Sequence, residues 1–248
     1  MKCLIIHGSP RRGNTWEVLN IVEDEMKRNG DFDFEIIELS KEKIPTCIGC
    51  FNCIFKGEDK CPHKNFTMPL VKKIEEADAL IITSPVYSMQ LSGLLKNFID
   101  HMSYNFHRPR FYNKKALIIT TTAGAGHKDT AKYLREVMYF WGMNYAMTIP
   151  IAYRSYELKE SNKRKILKGA RTFSKELLSN KLHEPSMKSI IMYNMWKQAA
   201  DGKDKNTVAD YNYWSKEELK NSVYYPGVPI NIVQKMAAKI VTNMFKDS

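Results

Sequence analysis

Four of the five cysteines lie within one short segment, residues 47–61, in the pattern C-x2-C-x2-C-x7-C. Thiolates at this spacing are typical iron–sulfur ligands, and the first two steps match those of bacterial ferredoxins, whose last gap is shorter. Structural zinc sites usually separate two C-x2-C pairs by a longer span. Three interpretations stay open: an iron–sulfur cluster, unmetallated thiols, and zinc or another metal. The candidate ligands are Cys47, Cys50, Cys53 and Cys61.

A second candidate site is the loop GSPRRGNT, residues 8–15, between a short apolar segment and a helical pattern. Ser9, Arg11, Asn14 and Thr15 offer hydroxyls, an amide and a guanidinium beside the N–H groups at a helix start. These groups suit a phosphate dianion. The loop lacks the lysine of a Walker motif and the G-x-G-x-x-G pattern. A structural alternative is that Asn14 or Thr15 caps the helix and the arginines are solvated.

Two further loops follow buried apolar segments. Pro85, Val86 and Tyr87 end the segment ALIITSPVY and combine a rigid residue with an aromatic one. The segment KALIITTTAG ends in hydroxyls and small residues, which allow a planar ring to approach the backbone closely. The residues of interest there are Thr121, Thr122, Ala123 and Gly124.

The pattern around these loops predicts an α/β protein. Five short apolar segments rich in β-branched residues alternate with amphipathic helical patterns, which is typical of a parallel sheet covered on both faces. We expect a doubly wound, five-stranded parallel sheet in three α/β/α layers over residues 1–183. Ligands of such sheets bind at the carboxyl ends of the strands. The loops after strands one, three and four should therefore meet.

Residues 184–248 have a different character, with two expected helices around an aromatic middle. That middle contains Tyr211, Tyr213, Trp214, Tyr224 and Tyr225. So much apolar surface must be buried, and we interpret the aromatics as packing residues. The segment is expected to form a helical extension that covers the core, forms a lid over the site or joins subunits.

Charge and composition argue against several classes of protein, namely nucleic-acid-binding, exported and membrane proteins. The chain has 38 Lys and Arg against 27 Asp and Glu, and of the +11 formal charge +8 falls in residues 151–248, with 18 basic and 10 acidic residues. No nucleic-acid module accompanies the basic residues, so nucleic-acid binding is the least favoured interpretation. No export signal or membrane span is recognisable, which predicts a cytoplasmic protein whose thiols stay reduced and whose partners include neither nucleic acid nor membrane.

Residues 101–110 combine His101, His107, Arg108 and Arg110 with aromatic side chains. This basic, aromatic segment could contact the phosphate of a nicotinamide cofactor or a second subunit. Its simplest interpretation is a surface or subunit loop. No Ser-His-Asp or H-E-x-x-H pattern occurs, and no side chain is assigned as a catalytic acid or base.

With these residues in view, the chain resembles the flavodoxin-like NADPH-dependent FMN reductases, which include the iron–sulfur flavoproteins and the quinone reductases. HGSPRRGNT, DALIITSPVYSMQLSGLLKNFID and TTAGAG carry the resemblance, which covers about residues 1–180. It implies that residues 9, 11, 14 and 15 bind the FMN phosphate. Residues 85–87 would line the isoalloxazine, and residues 121–124 would lie at its other edge.

The resemblance also implies an activity. The protein would be an oxidoreductase that takes electrons from NAD(P)H and passes them through FMN to flavin, quinone or a similar acceptor, and it would form a homodimer or homotetramer. It supports a [4Fe–4S] centre on the four clustered cysteines, which would make the protein an electron carrier toward a ferredoxin-like partner.

Overall fold

A computed structural model describes residues 1–154, 158–200 and 207–246. Its centre is a sheet of five parallel strands in the order β2-β1-β3-β5-β6, with a short strand, β4, antiparallel to the end of β3. This order is the flavodoxin-like one, so the predicted fold class is confirmed. The strands are β1 (Lys2–His7), β2 (Asp33–Glu38), β3 (Ala79–Tyr87), β4 (Gln90–Leu91), β5 (Lys115–Thr122) and β6 (Tyr145–Ala152).

Helices cover both faces of this sheet. One face buries an apolar cluster beneath the helices at residues 64–76, 93–101 and 127–140, and the other buries a second cluster beneath the helices at residues 14–29 and 160–178. None of the described helices is long and apolar enough to cross a membrane. The helices of this region are α1 (Asn14–Asn29), α2 (Leu39–Glu42), α3 (Asn52–Phe55), α4 (Lys64–Glu76), α5 (Gly93–His101), α6 (His127–Phe140) and α7 (Glu160–Leu178).

The apolar strands behave as their sequence predicts, because both sheet faces are buried. In β1, Leu4 and Ile6 enter one cluster whereas Cys3 and Ile5 enter the other. This alternation follows from the two-residue period of a strand. Cys3 is the small core residue expected from the sequence, and burial raises the pKa of its thiol to about 12.

Gly8 fixes the path of the chain where it leaves β1. Its N–H donates to the carbonyl of Thr83 on β3 (2.9 Å), and the hydroxyl of Ser92 donates to its carbonyl. A Cβ at this position would lie 2.8 Å from Leu95 Cβ and 2.8 Å from Thr83 O. The absence of a side chain therefore allows the loop to pass closely over α5.

The C-terminal segment contains more helices than the two expected. The described residues form α8 (Met187–Ala199), α9 (Val208–Trp214), α10 (Glu217–Lys220) and α11 (Ile232–Lys246). The aromatic middle therefore contains two short helices, α9 and α10, which are separated from each other and from α11 by turns. Trp214, Tyr224 and Tyr225 pack against Tyr193 of α8, whereas Tyr211 is exposed. Most of the aromatics therefore serve as packing residues; the division into two domains at residue 184 stays a prediction.

Candidate functional site

A cleft of about 640 Å³ lies at the carboxyl ends of β1, β3 and β5, where the topology places a ligand. It brings together ten of the eleven residues expected in the cofactor site. Gly124 is not among the lining residues, and its N–H instead donates to the Thr122 hydroxyl. Gly13, which the sequence analysis did not select, lines the cleft. The full lining is Ser9, Arg11, Gly13, Asn14, Thr15, Pro85, Val86, Tyr87, Thr121, Thr122 and Ala123.

The start of α1 faces this cleft without a side-chain cap. Gly13 is the N-cap residue, and among the described residues no side chain caps the first turn. The alternative that Asn14 or Thr15 caps the helix is therefore wrong. The first N–H groups of a helix have no partner within it, so they remain able to bind an anion. The 16-residue helix adds its positive dipole end.

The two adjacent arginines have different surroundings. Arg12 binds Glu38 (2.6 Å) and lies over the ring of Trp16 at 4.1 Å. Hydrogen bonds from Arg12 and Lys41 lower the pKa of Glu38 to about 2. Arg11 lines the cleft, and across the described ranges its guanidinium makes no ion pair. It is therefore the arginine with a charge available to a ligand.

Ser9 is nearly buried, and its hydroxyl shapes the loop. It donates to the carbonyl of Arg11 (2.7 Å) and accepts from the N–H of Arg11 (3.3 Å). On the opposite wall, the hydroxyls of Thr15 and Thr121 lie 2.6 Å apart and join α1 to β5. Thr122 donates to the carbonyl of Ala125 (3.0 Å), which orders the loop after β5.

The third wall is the end of β3. The hydroxyl of Ser84 donates to the carbonyl of Pro85 (2.7 Å), and β3 then turns back as β4. Ser88 and Met89 at this turn have φ angles of 46° and 68°, in the left-handed region. The turn leaves the side chain of Tyr87 43% exposed at the cleft. An exposed aromatic at this place can contact a planar molecule.

A second pocket, of about 730 Å³, contains all four clustered cysteines. Every cysteine is a free thiol, and burial raises the pKa of Cys53 and of Cys61. In residues 1–154, 158–200 and 207–246 no three His, Cys, Asp or Glu side chains are arranged to hold one metal ion. The pocket is lined by Cys47, Ile48, Gly49, Cys50, Phe51, Cys53, Cys61, Pro62, His63, Asp100, His101 and Ser103.

Side chains of α5 hold the first half of the cysteine loop. Asn97 accepts from the N–H of Cys47 (2.9 Å) and donates to the carbonyl of Pro45 (3.1 Å). His101 Nε2 lies 2.8 Å from the same carbonyl and its Nδ1 lies 3.9 Å from the Cys61 sulfur. Because a carbonyl only accepts, Nε2 carries a proton. Asn97 was not among the predicted site residues, although its position one turn before His101 indicates that the two side chains share a helix face.

The basic, aromatic segment 101–110 differs from its simplest interpretation. Arg108 is only 2% exposed and binds Asp210 and Glu58. Arg110 also binds Glu58 (2.6 Å). Arg108 therefore does not lie on a surface loop, and its guanidinium is not free to contact a nicotinamide phosphate. Both predictions are wrong for this residue, because the guanidinium is buried against two carboxylates that are distant in sequence. Its partners lie 50 and 102 residues away in the sequence, so local pattern does not reveal them.

A comparison of the sequence with protein families identifies the family of the domain that contains this first cleft. The sequence profile of the NADPH-dependent FMN reductases matches residues 1–154. The chain belongs to that family. Membership confirms the predicted family and, with it, the oxidoreductase class. The family's name also agrees with the expected cofactor and electron donor.

Individual relatives of this FMN reductase family member differ in their names. An iron–sulfur flavoprotein of Archaeoglobus fulgidus is 36% identical over 155 residues, which cover 62% of this chain and 67% of the relative. An NADPH azoreductase of a Bacillus species is 28% identical over 112 residues, or 44% of this chain and 55% of the relative. The NAD(P)H:quinone oxidoreductase of Methanothermobacter marburgensis shares the fold, with a TM-score of 0.57 at 18% identity, over 72% of this chain and 97% of that structure.

Proposed function

We propose that the protein is an FMN-dependent oxidoreductase whose cofactor binds in the cleft at the ends of β1, β3 and β5. The observation that carries the proposal is the uncapped start of α1 beside the guanidinium of Arg11, which forms no ion pair with any residue that the structure describes. A phosphate dianion gains most from free N–H groups, a helix dipole and one nearby positive charge. Residues Ser9, Arg11, Asn14 and Thr15 would hold the phosphate.

The remaining walls fit a flat ring. Pro85, Val86 and Tyr87 would contact one edge of the isoalloxazine, and the backbone of the Val86–Tyr87 turn would donate to it. Residues 121–124 would border the opposite edge. The small side chains there leave the backbone accessible. When bound, FMN supplies hydride acceptance and the transfer of one or two electrons.

The chain's own residues would supply position and polarity rather than a proton donor. His7, the nearest histidine in sequence to the phosphate loop, is 1% exposed and bonds to the Thr83 hydroxyl (2.7 Å). Burial lowers its pKa, which favours the neutral ring. We therefore assign no catalytic acid or base. The exposed ring of Tyr87 would border the space where NAD(P)H and then a quinone, flavin or similar acceptor approach.

A second candidate function is suggested by the cysteine pocket, whose four thiols belong to one loop and face one space. A [4Fe–4S] cluster takes one thiolate on each iron and so needs sulfurs farther apart than a single ion does. Cys47, Cys50, Cys53 and Cys61 fit this donor set. When bound, a cluster would supply one-electron transfer and would make the protein an electron carrier between FMN and a ferredoxin-like protein.

Assembly and location complete the proposal. Apolar side chains remain exposed near both pockets, among them Ile48 at 68% and Met89 at 58%. Exposed apolar residues beside a site favour contact with a second copy, which agrees with the expected homodimer or homotetramer. The free thiols agree with the reducing cytoplasm.

Steady-state oxidation of NADPH tests the proposal. Apoprotein from which flavin has been removed should oxidise NADPH and reduce a water-soluble quinone only after FMN is added. A rate that does not depend on FMN would contradict the assignment. Iron and sulfide analysis of anaerobically purified protein tests the second candidate separately, since it requires no activity.

A further inference from the structure

The second half of the cysteine loop is held by one buried guanidinium. Arg108 donates through Nη2 to the carbonyl of Cys53 (2.6 Å) and through Nη1 to the carbonyl of Ile54 (2.9 Å). Both carbonyls belong to α3, the short helix that carries Cys53. The position of the third cysteine therefore depends on the orientation of Arg108.

A carboxylate from the C-terminal helices fixes that orientation. Asp210 of α9 is 5% exposed, and its Oδ1 accepts from Arg108 Nη1. Its Oδ2 lies 2.9 Å from Nδ1 of His107. Glu58 is a second partner of Arg108 at 3.3 Å but is more exposed. A buried charge that loses its partner is strongly destabilised, so Asp210 decides whether Arg108 stays buried.

The same helices hold the backbone next to Arg108. The ring of His107 stacks on Trp196 of α8, with centroids 3.8 Å apart. The indole N–H of Trp214 donates to the carbonyl of His107 (3.1 Å). Contacts from α8 and α9 thus converge on residues 107 and 108, and through Arg108 they reach Cys53.

We propose that Asp210 is a positioning residue for the cysteine site, and that the C-terminal helices brace the cysteine loop through the Asp210–Arg108 pair. This inference rests on the second candidate function, in which the braced site would take an iron–sulfur cluster. It gives helices α8 and α9 a role at the cysteine pocket. A pre-formed set of sulfurs binds a cluster with less loss of chain entropy.

The two halves of the loop have separate anchors, and this separation makes the proposal specific. Cys47 is held by Asn97 of α5, whereas Cys53 is held by Arg108. Loss of Asp210 should therefore expose Cys53 and leave Cys47 unchanged. A general loosening of the protein would affect both thiols, and also Cys3 in the core.

The test measures alkylation of each thiol. Full-length protein, freed of iron by chelation, is treated with iodoacetamide under argon, and the modified cysteines are quantified by peptide mass spectrometry. Asp210→Asn is compared with Glu218→Gln, which removes one negative charge from the exposed surface of α10. We expect Cys53 to react about tenfold faster or more in Asp210→Asn only, because protection follows the local opening free energy. Reaction rates of Cys53 equal to those of the wild type would overturn the proposal.

Two further measurements keep the test decisive. If Asp210→Asn does not fold, Arg108→Met combined with Asp210→Leu removes both charges, a change that buried pairs often tolerate. This double variant should keep its circular dichroism and still expose Cys53, whereas full protection of Cys53 would contradict the brace. In iron-loaded protein, Asp210→Asn should lose iron to a chelator several-fold faster than Glu218→Gln, because Cys53 is held less firmly; equal rates of iron loss in the two variants would argue against the proposal.

The brace and the cluster can fail separately. Wild-type protein that binds no iron, while Cys53 still responds to Asp210→Asn, would contradict the cluster and support the brace. Wild-type protein that binds iron, and whose Cys53 protection is unchanged in Asp210→Asn, would support the cluster and contradict the brace.

Discussion

Replacement of Arg11 by alanine should weaken FMN binding through the phosphate alone. A hydrogen bond to a charged group contributes about 1.5–3 kcal/mol, which corresponds to a change of about 10- to 150-fold in Kd. Arg11 is exposed at the cleft, so solvent screening places the expected loss near the lower end, about tenfold. Titration of apoprotein by flavin fluorescence measures this change.

Two controls make the test specific. Riboflavin lacks the phosphate, so Arg11→Ala should leave its affinity unchanged, and the preference of the protein for FMN over riboflavin should fall. Arg12→Ala removes the same charge one residue further on, but Arg12 is already bound to Glu38. FMN affinity should therefore be nearly unchanged in that variant. Equal losses for FMN and riboflavin in Arg11→Ala, or a larger effect of Arg12→Ala, would refute the assignment of the phosphate site.

Three other changes have clear expected outcomes. Cys50→Ser should remove iron from anaerobically purified protein, as measured by iron and sulfide content; unchanged iron would exclude Cys50 as a ligand. Gly8→Ala should cost about 1–3 kcal/mol in a denaturant titration, the usual range for overpacking, because the new Cβ would meet Leu95 at 2.8 Å; an unchanged midpoint would contradict the close approach. The pKa of the Glu38 carboxylate is lowered to about 2, mainly by Arg12. The carboxylate should therefore stabilise the fold above its ordinary pKa of 4.5 and lose this effect as the pH falls toward 2. Glu38→Gln should remove that part of the acid dependence of unfolding, and a pH profile of stability identical to that of the wild type would show that the pair contributes nothing.

The sheet and the first cleft could be predicted because their signals are local. Apolar segments rich in β-branched residues gave five strands, and the rule that ligands bind at the carboxyl ends of parallel strands selected three loops. Residues as distant as Thr15 and Thr121 meet because the strand order places β1, β3 and β5 side by side. Gly13 was not predicted, because a glycine at the N-cap has no polar side chain that would mark the position in the sequence.

The surroundings of the cysteines could not be predicted in the same way. Their spacing identified a candidate site, but its anchors are Asn97 of α5 and Arg108, which Asp210 of α9 holds, through contacts that span about fifty residues or more. Arg108 looked like a surface residue because most arginines are exposed. Only the tertiary structure shows that Asp210 lies against it. Likewise, the C-terminal region was recognised as apolar and packed, but the breaks between its short helices were not.

The visible absorption of freshly purified protein under argon tests the central proposal, that the cleft beside α1 binds FMN for electron transfer from NADPH. The account predicts a flavin spectrum, from bound cofactor or after addition of FMN, that bleaches when NADPH is added. Protein that retains no FMN after gel filtration, or whose bound flavin is unaffected by both NADPH and NADH, would contradict it.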